Sequence, residues 1–377
     1  MPIRLFRRAR APHARDVACL TSLRFFAALW VLALHYSERM PDAFSAWSAL
    51  FVNGRLGVDF FFILSGFILT HVYLRQLREQ RFSFLHFIYK RFARLYPLHL
   101  VMLLVVLAYV SIGGWLGISL QNPEVYSWQM LWHNLLLIHA WGMLDSMSWN
   151  YVSWSISAEW FAYLVFLPLS LALMRLPGGA LTKLVLALAV FTVFYLETPY
   201  LIGQKLTLLT YDFAMLRIVP EFLFGISLYH VSLEWDVDPE AGHWLMLGLL
   251  SALLGISHFD LGTYPAVLLL GFVIFTAASL ERQGRMALLK HPALVYLGET
   301  SYSLYMTHAV LFILYFKAMA IVLGGRYGDW VWQIGPVALV AAFLVASLSY
   351  HLVELPGRRW LTSFQRKPRQ SSKPLGT

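Results

Sequence analysis

Several places along the chain put ionisable or small residues where bond-making chemistry could use them. Arg24 and His35 lie eleven positions apart in LTSLRFFAALWVLALHYS. Eleven residues make about three helical turns, so both project from one face, roughly 16 Å apart along the axis. Taken singly, Arg24 could snorkel to lipid phosphate and His35 could sit at an interface; on one face they form a polar track. Asp59, ahead of three phenylalanines in GVDFFFILSGFILT, could orient a cation such as His35 or an arginine. In the same stretch the small pair Ser65-Gly66 admits close approach, of a packed helix or of an acyl chain. In FIYKRFARLYPLH, Lys90, Arg91 and Arg94 cluster before an apolar run, with Arg91 and Arg94 on one face. Guanidiniums grip phosphate in fork geometry, which suits a nucleotide-bearing cofactor. Anchoring to anionic lipid is the plainer use.

Glu159 in SWSISAEWFAYL shares a face with Ser155 and Tyr163 at spacing four. It has no basic neighbour within a turn, so its partner must come from another segment. His35 is the expected partner, because a carboxylate fixes the tautomer of an imidazole and raises its basicity. An ion pair that merely packs helices is the alternative. Arg217 and Glu221, at spacing four, read as an internal ion pair. Ser301, Tyr305 and His308 could line a cavity or form a polar helix seam. His351 and Glu354 read as interface anchors. The 13 histidines show no HExxH or comparable spacing, so no metal is expected.

These residues must be held by helices in a membrane. The chain has 377 residues, 59% hydrophobic and only 13% charged, against about 25% charged in an average soluble domain. Too few charges remain to cover a water-facing surface. Windows of about 20 apolar residues recur, each long enough to cross a bilayer. The net charge of +9 is concentrated in the N-terminal tail (Arg4, Arg7, Arg8, Arg10, Arg15), around 75–94, and in the C-terminal tail. Cytoplasmic loops carry such clusters, so orientation accounts for the charge and no nucleic acid is needed. The lone Cys19 excludes an internal disulfide. The first apolar stretch is too long for a cleavable signal, and no small-residue cleavage site follows it.

Eleven apolar windows can be drawn: 17–37, 57–77, 95–112, 128–142, 156–174, 180–197, 211–231, 243–259, 263–280, 300–323 and 330–353. Two basic tails should both be cytoplasmic, which an odd number of crossings cannot achieve. The window 128–142 is short and interrupted by His133, Asn134 and His139, and reads as re-entrant or interfacial. The expected fold is therefore all-α, a polytopic transmembrane helical bundle of about ten spans. Residues 1–16 and 357–377 are expected as cytoplasmic tails, and 17–356 as one membrane domain. The loops at 75–94, 175–183 and 282–290 then face the cytoplasm, and the lysine- and arginine-free stretch 113–155 faces outward. The acidic loop 232–242 does not fit the charge rule.

The ordered set formed by Arg24 and His35, GVDFFFILSGF, KRFARLYP, SWSISAEW, RIVPEFLFG and LGETSYSLYMTH resembles the membrane acyltransferase 3 family, over about residues 20–356. ELP stands at 354–356 where the family more often has ERP, and Met306 replaces a usual leucine. The resemblance implies a multi-pass protein of the bacterial inner membrane that moves an acyl group from acyl-CoA, most often acetyl-CoA, to a hydroxyl. It makes Arg24 and His35 the essential pair and Arg91 and Arg94 the cytoplasmic motif. No C-terminal hydrolase-like domain is expected here. The expected partners are acyl-CoA, membrane lipid and a polysaccharide or lipid-linked saccharide acceptor. The expected path holds the donor phosphates on Lys90, Arg91 and Arg94, with Arg24 at the entry. The donor arm passes Ser65-Gly66 to His35, which is oriented by Glu159 or Asp59. A neutral imidazole is required, so activity should fall at acidic pH. A small-molecule acceptor such as an antibiotic, and a proton-coupled transporter or flippase, are the alternatives.

Overall fold

The structure, a computed structural model, describes residues 5–9, 17–117 and 122–364. Helices dominate it: α1 (Ala18–Ser37), α2 (Leu56–Arg78), α3 (Phe84–Trp115), α4 (Trp128–Leu135), α5 (Trp154–Arg175), α6 (Ala180–Ile202) and α7 (Ala214–Glu234). Then follow α8 (Ala241–His258), α9 (Thr263–Arg282), α10 (Pro292–Glu299), α11 (Ser301–Leu323), α12 (Tyr327–Ser349) and α13 (Leu355–Ser363). Among the described residues nine stretches are long and apolar enough to cross a membrane, the last running over Ser301–Ser363 for 63 residues. That last stretch cannot be one crossing, since 63 residues of helix would extend about 95 Å. It breaks at Gly324, whose φ of 51° is open to glycine, and folds back as the α11–α12 hairpin. Tyr315 at mid-α11 donates to the Ile334 carbonyl at 2.9 Å, and Ser303 at the start of α11 meets Glu354 beyond α12. Counting that hairpin as two gives the ten crossings expected from the charge pattern.

The segment at 128–142 does not cross. Only α4 is helical there, and the chain turns back at Leu137, whose φ is 58°. The return is tied to the head of α5: the Ala140 amide donates to Ser157 Oγ (3.1 Å) and the Trp141 indole to the Ser157 carbonyl (3.1 Å). His139 is buried in this cap 3.0 Å from Ser153 Oγ, and burial pushes its pKa down to about 3, so the ring is neutral.

Helices α2 and α7 form the centre of the bundle. α7 is buried on nearly every face, as a helix apolar all round must be. The two approach closely because each carries a glycine at the crossing. A Cβ at Gly66 would collide with the Phe222 carbonyl, and one at Gly225 with the Ile63 carbonyl. Gly66 is therefore a packing residue between two helices. Its expected part in passing an acyl chain is corrected. Gly66→Ala is expected to destabilise the fold by about 1–3 kcal/mol through overpacking, seen as a lower unfolding temperature in detergent.

Part of the expected N-terminal tail is built into the fold. Strand β1 (Phe6–Arg8) pairs antiparallel with β2 (Trp235–Val237), setting Arg7 opposite Asp236. This accounts for part of the acidity of the loop at 232–242, where two of the four carboxylates are taken up by bases. Asp236 pairs with Arg282, and Glu234 lies 3.9 Å from Arg8. The other end of the membrane domain also extends past its expected boundary at 356. α13 packs on α3, where Tyr89 donates to the Leu361 carbonyl at 2.7 Å and Gly357 sits against Pro97. The described parts of both terminal regions thus lie at one end of the bundle, with Arg75, Arg78, Lys183 and Arg282. This is the basic end. Residues 1–4, 10–16 and 365–377 of the expected tails lie outside the described residues.

Candidate active site

A cavity of about 270 Å³ opens among α1, α2, α3, α5 and α11. On α2 its wall is a stripe of Val58, Phe61, Phe62, Ser65, Ile68, Leu69 and Val72, the i, i+3, i+4 spacing of one helix face. Val58 to Val72 makes the slot roughly 21 Å long, most of the thickness of a hydrocarbon core. Val17, Leu20 and Thr21 of the start of α1 line it toward the basic end, and Ser155 and Tyr305 toward the far end.

Its polar groups form a sequence of contacts. Arg24, Arg91 and Arg94 supply positive charge in the half nearer the basic end. Arg24 and Arg94 lie in each other's field and in that of Glu159 and Glu354. The Arg91 guanidinium sits over the Tyr163 ring, 5.9 Å from its centroid. Tyr163 donates to Glu159 Oε1 at 2.6 Å, and Ser65 donates to the same oxygen at 2.8 Å. At the far limit Ser155 donates to the Tyr305 hydroxyl (2.7 Å), which itself donates to the Val152 carbonyl (2.9 Å). The face predicted for Ser155, Glu159 and Tyr163 is thus the face that lines the slot.

His35 lies just beyond. Its ring is 5.2 Å from that of His308, which is 5.9 Å from that of Tyr305. Its Nδ1 donates to Glu38 Oε2 at 3.0 Å, because a carboxylate only accepts. That leaves Nε2 as the lone-pair nitrogen. Tyr151 meets the ring edge-on at 5.3 Å.

Five expectations need correction. Glu159 does not orient His35; it is held by Ser65 and Tyr163, and Glu38 is the carboxylate on the imidazole. Of the two cations expected for Asp59, the partner is an arginine and not His35. Asp59 is fully buried and takes Arg217 in a two-pronged pair, Nε–Oδ1 2.9 Å and Nη2–Oδ2 2.7 Å. Arg217 consequently pairs with Asp59 and not with Glu221, and its Nη1 donates to the Leu209 carbonyl at 3.2 Å. Lys90 is exposed and does not line the slot, because one step of helix turns it about 100° from Arg91. Glu354 is no surface anchor: it is buried, accepts from Ser303 at 2.6 Å, and sits in the field of Arg94 and Arg24.

Glu38 and Tyr302 were not singled out from the sequence. The first had a signal in the spacing His35-x-x-Glu38, which places the two on one helix face. Tyr302, on the cavity wall, has its hydroxyl on the Leu95 carbonyl at 2.7 Å and carried none. Among the described residues no three of His, Cys, Asp and Glu gather as a metal site requires.

The arrangement joins a cationic slot at one end to a carboxylate-backed imidazole at the other, which suits transfer of a group from a phosphate-bearing donor. Sequence comparison gives this chemistry a family. The Acyltransferase domain family is matched over residues 17–351. Acyltransferase MdmB of Streptomyces mycarofaciens is 28% identical over 93% of this chain and 94% of its own length. Nodulation protein 10 of Rhizobium leguminosarum bv. viciae is 25% identical over 90% of this chain and 93% of its own. Peptidoglycan O-acetyltransferase OatA of Listeria monocytogenes serovar 1/2a is 24% identical over 91% of this chain, which spans 56% of OatA. No solved structure matches. A match running from the start of α1 to the turn beside Glu354, on a bundle of apolar helices, makes this chain a member of the Acyltransferase domain family and a multi-pass membrane acyltransferase.

Proposed function

We propose that the protein moves an acyl group, acetyl in the first instance, from acyl-CoA in the cytoplasm to a hydroxyl of a cell-envelope or exported polysaccharide, or of its lipid-linked precursor. The observation that carries this reading is the slot from Arg24, Arg91 and Arg94 to within one tyrosine and one histidine ring of His35. The excess of lysine and arginine at the basic end supports placing that end in the cytoplasm of a bacterial inner membrane. The name of OatA, a peptidoglycan O-acetyltransferase, supports acetyl as the group and a glycan as the acceptor.

In this reading Arg91 and Arg94 hold the phosphates of the donor and Arg24 draws it in. The donor arm lies along the α2 stripe past Ser65, with Glu159 and Tyr163 available to its amides. His35 Nε2 meets the acyl carbonyl, and Glu38 stabilises the positive charge that grows on the ring. Membranes bearing the protein, given radiolabelled acetyl-CoA and crude cell-envelope saccharide, are expected to pass label to saccharide. Arg94→Ala is expected to raise KM for acetyl-CoA about 10–100-fold, the equivalent of one charge-assisted hydrogen bond of about 1.5–3 kcal/mol. An unchanged KM would remove the phosphate clamp. Absence of label on saccharide across acyl-CoAs of different chain length would remove the activity.

A further inference from the structure

Resting on that reading, we propose that His308 is a second catalytic residue, the group that takes the proton from the acceptor hydroxyl. His308 is 1% exposed on α11, and its ring stacks on that of His35 at 5.2 Å and 29°. Its Nδ1 lies 3.0 Å from the Leu304 carbonyl oxygen, which can only accept, so Nδ1 carries the ring proton. Nε2 therefore keeps its lone pair, and it is buried without a hydrogen-bond partner among the described residues. A buried polar atom left unpaired is costly and calls for an explanation. A hydroxyl arriving at His35 would satisfy it.

The pair thus offers two lone-pair nitrogens side by side, and their surroundings divide the work. His35 is backed by Glu38, so a full positive charge on that ring is stabilised. His308 is backed only by a backbone carbonyl and by the rings of Tyr305 and Phe312, at 5.9 and 6.0 Å. It suits brief possession of a proton. As the hydroxyl oxygen bonds to the acyl carbon, the O–H proton passes to His308 Nε2. The bond from that carbon to the donor atom, CoA sulfur or His35 Nε2, breaks with its electron pair on the donor atom. His308 then gives up that proton and the CoA thiolate takes one up, so the count of protons is unchanged. Ester and CoA thiol are the products, and both imidazoles end neutral.

The test compares two acceptors. A sugar hydroxyl needs a base as it attacks; hydroxylamine attacks as the free amine and needs none. Membranes bearing wild type, His308→Asn, His308→Gln or His35→Ala would receive radiolabelled acetyl-CoA with either cell-envelope saccharide or hydroxylamine. Membranes without the protein give the uncatalysed hydroxamate to subtract. His308→Asn and His308→Gln are expected to lose about 10²–10⁴-fold on saccharide, the usual contribution of a general base, and to make hydroxamate within a few-fold of wild type. His35→Ala is expected to lose both. Saccharide acylation near wild type in the His308 variants would overturn the proposal, as would equal loss on both acceptors, the mark of a merely structural residue. Absence of label on either acceptor with wild type would overturn the acyltransfer reading beneath it, and the proposal with it.

Discussion

His35→Ala is expected to lower acyl transfer by about 10²–10⁴-fold, the span of a lost acid–base or nucleophilic group, with acyl-CoA binding kept. Binding survives because the donor site is built elsewhere, on α1, α2, α3 and α5, and His35 is not part of the cavity wall. Glu38→Gln should follow in kind but not in size. Its side chain is 51% exposed, so solvent screens it, and a loss of about tenfold or less in kcat is expected. Glu159→Gln should act differently. Glu159 accepts from Ser65 and Tyr163 inside the slot, so its loss should appear mainly in KM for acyl-CoA. Steady-state kinetics of the three variants against acyl-CoA check this. A collapse of kcat in Glu159→Gln with an unaffected Glu38→Gln would mean that the pairing at His35 changes during turnover.

The largest effect on stability is expected from Asp59→Ala. The Asp59–Arg217 pair is closed from water on both sides, at 0% and 1% side-chain exposure, beside the Trp154 ring. Removing one partner of a buried pair leaves an uncompensated charge and costs about 3–5 kcal/mol. Glu221 modifies this. It is fully buried one turn along α7 from Arg217 and lies in the field of both Arg217 and Asp59. With Asp59 gone it is the nearest substitute carboxylate, so Asp59→Ala/Glu221→Gln should be less stable than either single variant. Glu221→Gln alone should cost little, since it removes a second acid from beside the first. Unfolding temperatures in detergent for the cycle measure the coupling directly. A wild-type unfolding temperature in Asp59→Ala would show that the pair contributes nothing net.

The sequence was readable wherever the physical rule is local. Ten crossings follow from apolar length and from the charge of the loops, both properties of consecutive residues. Ser155, Glu159 and Tyr163 share a face because helix geometry fixes spacing four. What each face meets is set by packing between helices, and no local rule reaches that far. Asp59 and Arg217 are 158 positions apart, and nothing near either identifies the other. Gly66 suited either role proposed for it until the backbone of α7 was in place against it. Glu38 is the instructive omission. It stands three residues from His35, but it follows the apolar run, and the rule that singles out charges within the membrane does not reach one at its rim. The acidic loop 232–242 is the converse, a departure from the charge rule accounted for in part by its bases on β1 and α9.

The bonds at Tyr305 carry an obligation unrelated to acyl transfer. A slot roughly 21 Å long leaves little protein between the two aqueous phases. At its far limit stands the Tyr305 phenol, held by Ser155 on one side and the Val152 carbonyl on the other. Such a wall must hold back protons and small ions against the membrane potential, worth about 2.3 kcal/mol per charge per 100 mV. In the proposed reading, every turnover brings an acyl group past that wall without opening a continuous file of water. In that reading the same two hydrogen bonds that define where the donor stops also belong to the electrical insulation of the membrane.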